Sequence, residues 1–280
     1  MKNTHTMKNL IIFFVFLSLP MLCVAQSKNQ SSIGSSALPK LPKPNKVWVF
    51  LLAGQSNMAG RGLIEAQDTV SNPRIFSINA QAEVILAKEP LHFYEPGRTG
   101  LDCGLSFGKA LLKGIPKKVS ILLLPTAVGG SAMRQWLGDS TYREVKLWSN
   151  FLEKVALGKK HGRIKAVLWH QGESDANDKN IPLYPENLTH LLQNFRRAVG
   201  NPQLPVLMGE LGAFSQNPQQ WQKINQLIKA HAANDPFTSV ISTQDLQHKG
   251  DKIHFNSAGQ RLLGQRFAEA YLQKFVYRGR

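Results

Sequence analysis

Cysteine is nearly absent from this chain: Cys23 and Cys103 are the two among 280 residues. Cys23 falls in a leader-like stretch. Cys103 is then alone, no internal disulfide can form, and hydrophobic packing has to carry stability. Cys103 itself reads as a small buried hydrophobe. Acid is scarce as well, with 18 Asp and Glu against 34 Lys and Arg and a formal charge of +16. Such an imbalance suits nucleic acid, a membrane surface or an acidic polysaccharide. The basic residues are scattered, however, and Lys117-Lys118, Lys159-Lys160 and Arg196-Arg197 are only pairs. No RNP-like, zinc-finger or helix-turn-helix pattern accompanies them, so no nucleic-acid partner is expected and a solvated surface explains most of the charge. Metal-ligand spacing and Walker spacing are both missing. No metal and no cofactor are expected.

The chain also lacks an apolar run long enough for a bilayer span. Near its start, Lys2 and Lys8 lead into Leu10 to Phe16, continuing through Leu17, Leu19 and Met21 to Val24-Ala25, with Ser18 and Pro20 as interruptions. That pattern predicts a signal peptide over residues 1–25, cleaved after Ala25, and a secreted or periplasmic product without stable membrane insertion. Losing Lys2 and Lys8, with no acid in that stretch, lowers the charge from +16 to +14. Leu22 is bulky where a lipoprotein signal has a small residue, which disfavours a lipid anchor on Cys23. Residues 26–46 are rich in Ser, Pro, Lys and Asn without hydrophobic period, a flexible leader. Residues 47–280 read as one domain, large enough to bury a core.

That domain opens with the continuous apolar run Val47 to Ala53, which stops at Gly54. Similar runs recur at Val119 to Leu124, Ile164 to Trp169, Val206 to Met208 and Thr238 to Ile241. Helical patterns lie between them, at Leu105 to Leu112, Tyr142 to Val155, Leu188 to Phe195, Trp221 to Ile228 and Ala258 to Tyr271, the last capped by Asn256 or Ser257. Buried strands alternating with amphipathic helices predict an α/β fold with a central parallel sheet of about five strands covered on both faces. Ligands bind such sheets beyond the carboxyl ends of the strands. Gly54-Gln55-Ser56-Asn57, Gly129-Gly130-Ser131, His170-Gln171-Gly172-Glu173 and Asp251 to His254 all fall there.

Ser56 follows a strand end and a glycine, the exposed and rigid setting a nucleophile needs. Taken alone it is a turn serine. Met58 stands where the α/β-hydrolase elbow requires a second glycine. Asp251 lies three residues before His254, so its carboxylate can accept from imidazole Nδ1 and leave Nε2 to take a proton. Singly, that spacing reads as a solvated ion pair. Together, a serine after the first strand and an Asp-His pair after the last meet at one sheet edge. Gly129 and Gly130 amides and the Gln171 side chain are candidate donors to an oxyanion.

The segment Phe50 to Gly60 resembles the nucleophile block of the sialate O-acetylesterase and acetylxylan esterase group, carbohydrate esterase family six of the SGNH hydrolases. Trp169 to Asp175 is similar to that group's third block, Gly129-Gly130-Ser131 with Trp136 to its second, and Asp251 with His254 to its last; Gly104 to Phe107 also matches a segment there. The matches run in family order from residue 47 to about 270. The resemblance implies a three-layer α/β/α, flavodoxin-like fold and a metal-free serine hydrolase acting on O-acetylated carbohydrate. It places the nucleophile at Ser56, the base at His254 and the orienting acid at Asp251. Oxyanion donors would be the Ser56 amide, Gly129 or Gly130, and Gln171. Glu173 is a second acid, which either orients His254 in place of Asp251 or holds the loops together. Arg134, Trp136 and Arg61 are candidate sugar contacts. His170 is expected to be packed beneath the site; His92, His161, His190, His231 and His248 suit surface or cap roles. Two rivals stand beside this reading. One is a catalytically silent carbohydrate-binding protein on the same fold, the other a phosphate-cradling loop at Gly54 to Gly62. The sequence sets neither the sugar nor the oligomeric state.

Overall fold

The computed structural model describes Met1 and residues 39–277. The expected signal peptide over 1–25 and the leader as far as residue 38 lie outside the described residues. The end of that leader is built into the fold. Leu41 packs against the core, and Pro44–Lys46 forms a 3-10 turn that feeds the first strand.

In chain order the elements are β1 (Val47–Gly54), α1 (Ser56–Ala59), β2 (Ile75–Ile78), β3 (Val84–Leu86), α2 (Gly104–Leu111), β4 (Ser120–Pro125), α3 (Met133–Leu137), β5 (Thr141–Tyr142), β6 (Val145–Lys146), α4 (Leu147–His161), β7 (Arg163–His170), α5 (Tyr184–Val199), β8 (Val206–Gly209), α6 (Pro218–Asn234), β9 (Thr238–Ile241) and α7 (Ser257–Tyr271). The main sheet has seven strands in the order β3-β2-β4-β1-β7-β8-β9. All neighbours pair in parallel except β2 with β3. The five apolar runs are the contiguous strands β4-β1-β7-β8-β9, and the expectation of about five strands falls short by two. β2 and β3 have four and three residues, too short to show a period against the loops around them. A second correction concerns Tyr142 and Val145, which lie in the β5–β6 hairpin, so α4 starts only at Leu147.

β1 shows why its run is continuous. Val47, Val49, Leu51 and Ala53 point into the core cluster with α3, α4, α5 and α6, whereas Phe50 and Leu52 point into the cluster with α2 and α7. Alternate residues of one strand thus fill two cores, and no position is left for a polar side chain. The result is a three-layer α/β/α sandwich. Asn256 caps α7, its side chain accepting from Gly259 N at 2.8 Å.

Around β1 the chain order reverses, β4 lying on one side and β7 on the other, which is the switch point where such sheets bind ligands. Gly54 ends β1 there with φ +136°, and a Cβ on it would overlap the carbonyl of His170 on β7. Gly54→Ala is therefore expected to cost at least ~3 kcal/mol, roughly 6–12 °C in Tm. A melting curve within about 2 °C of wild type would show that β7 yields there.

Candidate active site

Ser56 is the first residue of α1, where a helical amide has no carbonyl behind it to bond. Its hydroxyl Oγ lies 2.9 Å from His254 Nε2. His254 Nδ1 lies 2.7 Å from Asp251 Oδ2, while Asp251 Oδ1 accepts the amides of His254 at 2.8 Å and Ile253 at 3.0 Å. Burial raises the Asp251 pKa, but the hydrogen bonds from the His254 amide, its imidazole and the Ile253 amide outweigh that and hold it at about 2. A carboxylate that stays ionised fixes the Nδ1–H tautomer and leaves Nε2 as an acceptor for the serine proton.

Glu173 takes the other of its two expected places. Its Oε1 accepts from Asn57 Nδ2 at 2.6 Å, and no hydrogen bond joins it to His254. The Asn57 carboxamide also donates to Ile253 O at 3.0 Å and accepts from Phe255 N at 3.1 Å. It therefore grips the chain on both sides of His254. Gln260 Nε2, from α7, donates to Asn57 O at 2.9 Å and closes the same knot.

On the oxyanion side the two glycines differ. Gly129 N donates to Glu95 Oε2 at 2.6 Å, so that amide is occupied. Gly130, with φ +81°, has an amide that bonds no group among the described residues, and it lines the pocket. Gln171 is a correction. Its side chain is fully buried and its Nε2 donates to Asp175 Oδ2 and to Ser131 O, away from the pocket. Gln55 is oriented the opposite way. Its Oε1 accepts from Ser174 N at 3.3 Å and Gly172 N at 3.4 Å, which fixes the amide and leaves Nε2 on the pocket side.

Two of the three candidate sugar contacts are also corrected. Trp136 is fully buried, edge-on to Trp169 with ring centroids 5.3 Å apart, and its Nε1 donates to Ser131 Oγ at 2.9 Å. It supports the glycine loop from below. Arg134 is exposed but lines no part of the pocket. Arg61 does line it, with its guanidinium bound to Gly60 O and Glu95 at 2.7 Å each. His170 is packed beneath the site as expected from its position, donating to Glu210 O at 2.9 Å, and burial pushes its pKa down. His92 departs from the surface or cap role: it is buried, 2.8 Å from Asp102 Oδ2.

Ser56, His254, Gln55, Gly130 and Glu173 line one pocket of about 400 Å³, with Arg98, Arg143 and Lys252 among the other walls. Among the described residues no group of three His, Cys, Asp or Glu side chains is arranged to hold a metal. A family model described as carbohydrate esterase, sialic acid-specific acetylesterase, matches residues 46–273. The chain belongs to this family. It is 29% identical over 259 residues to a probable carbohydrate esterase of Arabidopsis thaliana, covering 83% of this chain and 92% of the relative. The solved structure of that plant protein superposes with a TM-score of 0.73 at 28% identity, over 84% of this chain and all of the other. The crystal structure of NanS matches at TM-score 0.70 and 19% identity, over 86% of this chain and all of the other. A carbohydrate acetylesterase of Xanthomonas citri matches at 0.61 and 21%, over 82% of this chain and 56% of the other. The last two share the fold.

Gln55, Asn57 and Glu95 were missed by the sequence reading. The first two flank Ser56 inside the quoted block, where their polarity was the available signal. Glu95 sits in a loop with no spacing pattern at all. Because Asn57 holds three partners that are otherwise short of one, Asn57→Ala should lower stability by about 2–4 kcal/mol. It should also speed amide exchange at residues 253–255. Undiminished protection there would show that the clasp does not hold the loop.

Proposed function

We propose that this carbohydrate esterase is an exported serine enzyme that removes O-acetyl groups from sugars through an acetyl-serine intermediate. The observation that carries the reading is the unbroken chain Ser56 Oγ, His254, Asp251 at 2.9 and 2.7 Å, opening into the pocket. His254 Nε2 takes the Ser56 proton as Oγ attacks the acetyl carbonyl carbon. The tetrahedral oxyanion is held by the Ser56 amide, the Gly130 amide and Gln55 Nε2, in place of Gly129 and Gln171. Collapse breaks the ester C–O bond, and the proton on His254 passes to the departing sugar oxygen. A water then gives its proton to His254 and its oxygen to the acetyl carbon, and acetate leaves as Ser56 regains its proton. Export rests on the residue pattern of 1–25, with Gln26 as the mature N-terminus.

The sugar we favour carries negative charge. Arg98, Arg143 and Lys252 line the pocket, and two of them hold costly backbone, Arg143 at φ +47° and Lys252 at φ +57°. An O-acetylated sialate or uronate should accordingly be turned over at a higher kcat/KM than an acetylated neutral xylo-oligosaccharide. Equal values would remove charge from the account of specificity.

Acetate release from a generic acetyl ester, compared for wild type, Ser56→Ala and His254→Ala, tests the mechanism. Each variant should lose on the order of 10³-fold or more in kcat. Turnover that survives in Ser56→Ala would exclude the acyl-serine. The acid limb gives a second reading. Asp251 lies below the ordinary carboxylate value of ~3.9, so its contribution is present above that pH and lost only as pH falls through about 2. Down to about pH 4 Asp251 should therefore add no slope of its own, and the acid limb of log kcat/KM should keep unit slope. A slope of two would bring a second essential group into that window.

A further inference from the structure

Glu95 is a carboxylate that the mechanism above does not use, and it is 4% exposed. Three segments converge on it. Arg61 Nη2, just after the nucleophile turn, donates to its Oε2 at 2.7 Å while Arg61 Nη1 donates to Gly60 O at 2.7 Å. Arg143, from the tip of the β5–β6 hairpin, donates to its Oε1. Gly129 N, in the glycine loop after β4, donates to its Oε2 at 2.6 Å. Burial pushes the Glu95 pKa up, but Arg61, the Gly129 amide and Arg143 more than reverse this, so the group stays ionised.

The packing around this junction is tight. A Cβ on Gly129 would overlap the Arg61 guanidinium and lie 2.6 Å from Glu95 Oε2. Glycine is needed at 129 because the ion pair occupies the place of its side chain, and at 130 because φ is positive. Glu95 thereby fixes the peptide plane that enters Gly129, one residue before the free amide of Gly130. Ser174 Oγ holds the far side, donating to Gly130 O at 3.0 Å. The Gly130 N–H thus sits between two anchored peptides.

We propose that Glu95 is a positioning residue for the oxyanion hole: through Gly129 it aims the Gly130 amide, and through Arg61 it ties that amide to the nucleophile turn. The proposal rests on the acyl-serine reading. A donor that must meet a developing oxyanion contributes only if it is held in place beforehand, and losing one such donor costs about 10²–10³ in kcat. Misaiming Gly130 without removing it should cost less, about 10–10²-fold. Ground-state binding should hardly change, because the carbonyl oxygen needs that donor mainly in the transition state.

The test compares wild type, Glu95→Ala, Glu95→Gln and Ser56→Ala on a small acetyl ester, with active sites counted by fluorophosphonate labelling and a boronic acid as the tetrahedral mimic. In Glu95→Ala, kcat and kcat/KM per labelled site should fall together by about 10–10²-fold, KM staying within about threefold. Boronate affinity should fall by a similar factor. Glu95→Gln keeps one oxygen for Gly129 and should recover most of the loss, remaining within about tenfold of wild type. If the alanine variant does not fold, the glutamine variant decides, since it should still lose about 3–10-fold in kcat and in boronate affinity at unchanged KM. The proposal is overturned if kcat per labelled site stays within about twofold in whichever variants fold, or if KM rises while kcat and boronate affinity hold. Wild-type turnover that persists in Ser56→Ala would instead sink the acyl-serine reading on which the proposal stands.

Discussion

The Asn57 carboxamide joins parts of the chain that are nearly two hundred residues apart. One amide donates to Glu173 and to Ile253 O and accepts from Phe255 N. Those last two partners bracket His254, so its imidazole is carried on a segment tied to the residue next to Ser56. By itself a hydrogen bond from serine to histidine is weak. It persists when the start of α1 and the segment carrying His254 share a neutral, planar anchor. Glu173 supplies the charge that makes one of these bonds strong. In the proposed mechanism Glu173 therefore serves the histidine through geometry, and Asp251, bonded to Nδ1, serves it through charge.

The sheet makes the meeting possible at all. β1 lies between β4 and β7, and its end is where chain from both directions of the strand order comes together. Gly54 allows β1 to turn against the His170 carbonyl, and Gln55 N then bonds that same carbonyl at 2.9 Å. From this fixed start Gln55 turns its amide oxygen onto the loop after β7, accepting from Gly172 N and Ser174 N. Ser56 follows at the head of α1. The site is thus built from strand ends, whose positions the ladder holds to the register of the sheet, and from side chains that lace those ends together.

Strand runs such as Val47 to Ala53 and Val206 to Met208 were legible because burial on both faces demands apolar residues without interruption. β2 and β3 were hidden by their length, and the β5–β6 hairpin by an apolar spacing that continues into α4. In the site, strand order and the Asp251–His254 spacing suggested that Ser56 would meet that pair at one sheet edge, whereas the roles of the three came from the family resemblance. Gln171 and Trp136 occupy places next to the pocket but point elsewhere. A motif gives the position of a Cα, whereas the direction of its side chain depends on the partners it finds in the folded chain, here Asp175 and Ser131 for Gln171 and Ser131 for Trp136. Glu95 had no local signal because every contact that defines it comes from residues 61, 129 and 143.

The charges beneath the pocket follow from the same logic. An oxyanion forming near Gly130 would be opposed by a bare carboxylate one residue behind it, and at short range in a partly buried site that opposition is worth several kcal/mol. Glu95 is not bare. Arg61 and Arg143 both bond it, so the group carries more positive than negative charge around it. Asp175, the next buried acid, accepts from Met133 N at 2.8 Å and from Gln171, and burial pushes its pKa up. The carboxylates in this part of the protein thus serve as acceptors for backbone and amide N–H groups, with arginine placed where full ionisation is kept. At the glycine loop Glu95 anchors the Gly129 amide while two arginines pair its charge. Gln171 accordingly steadies Asp175 with its amide, and the donor proposed for the oxyanion on that side is Gln55, which lines the pocket.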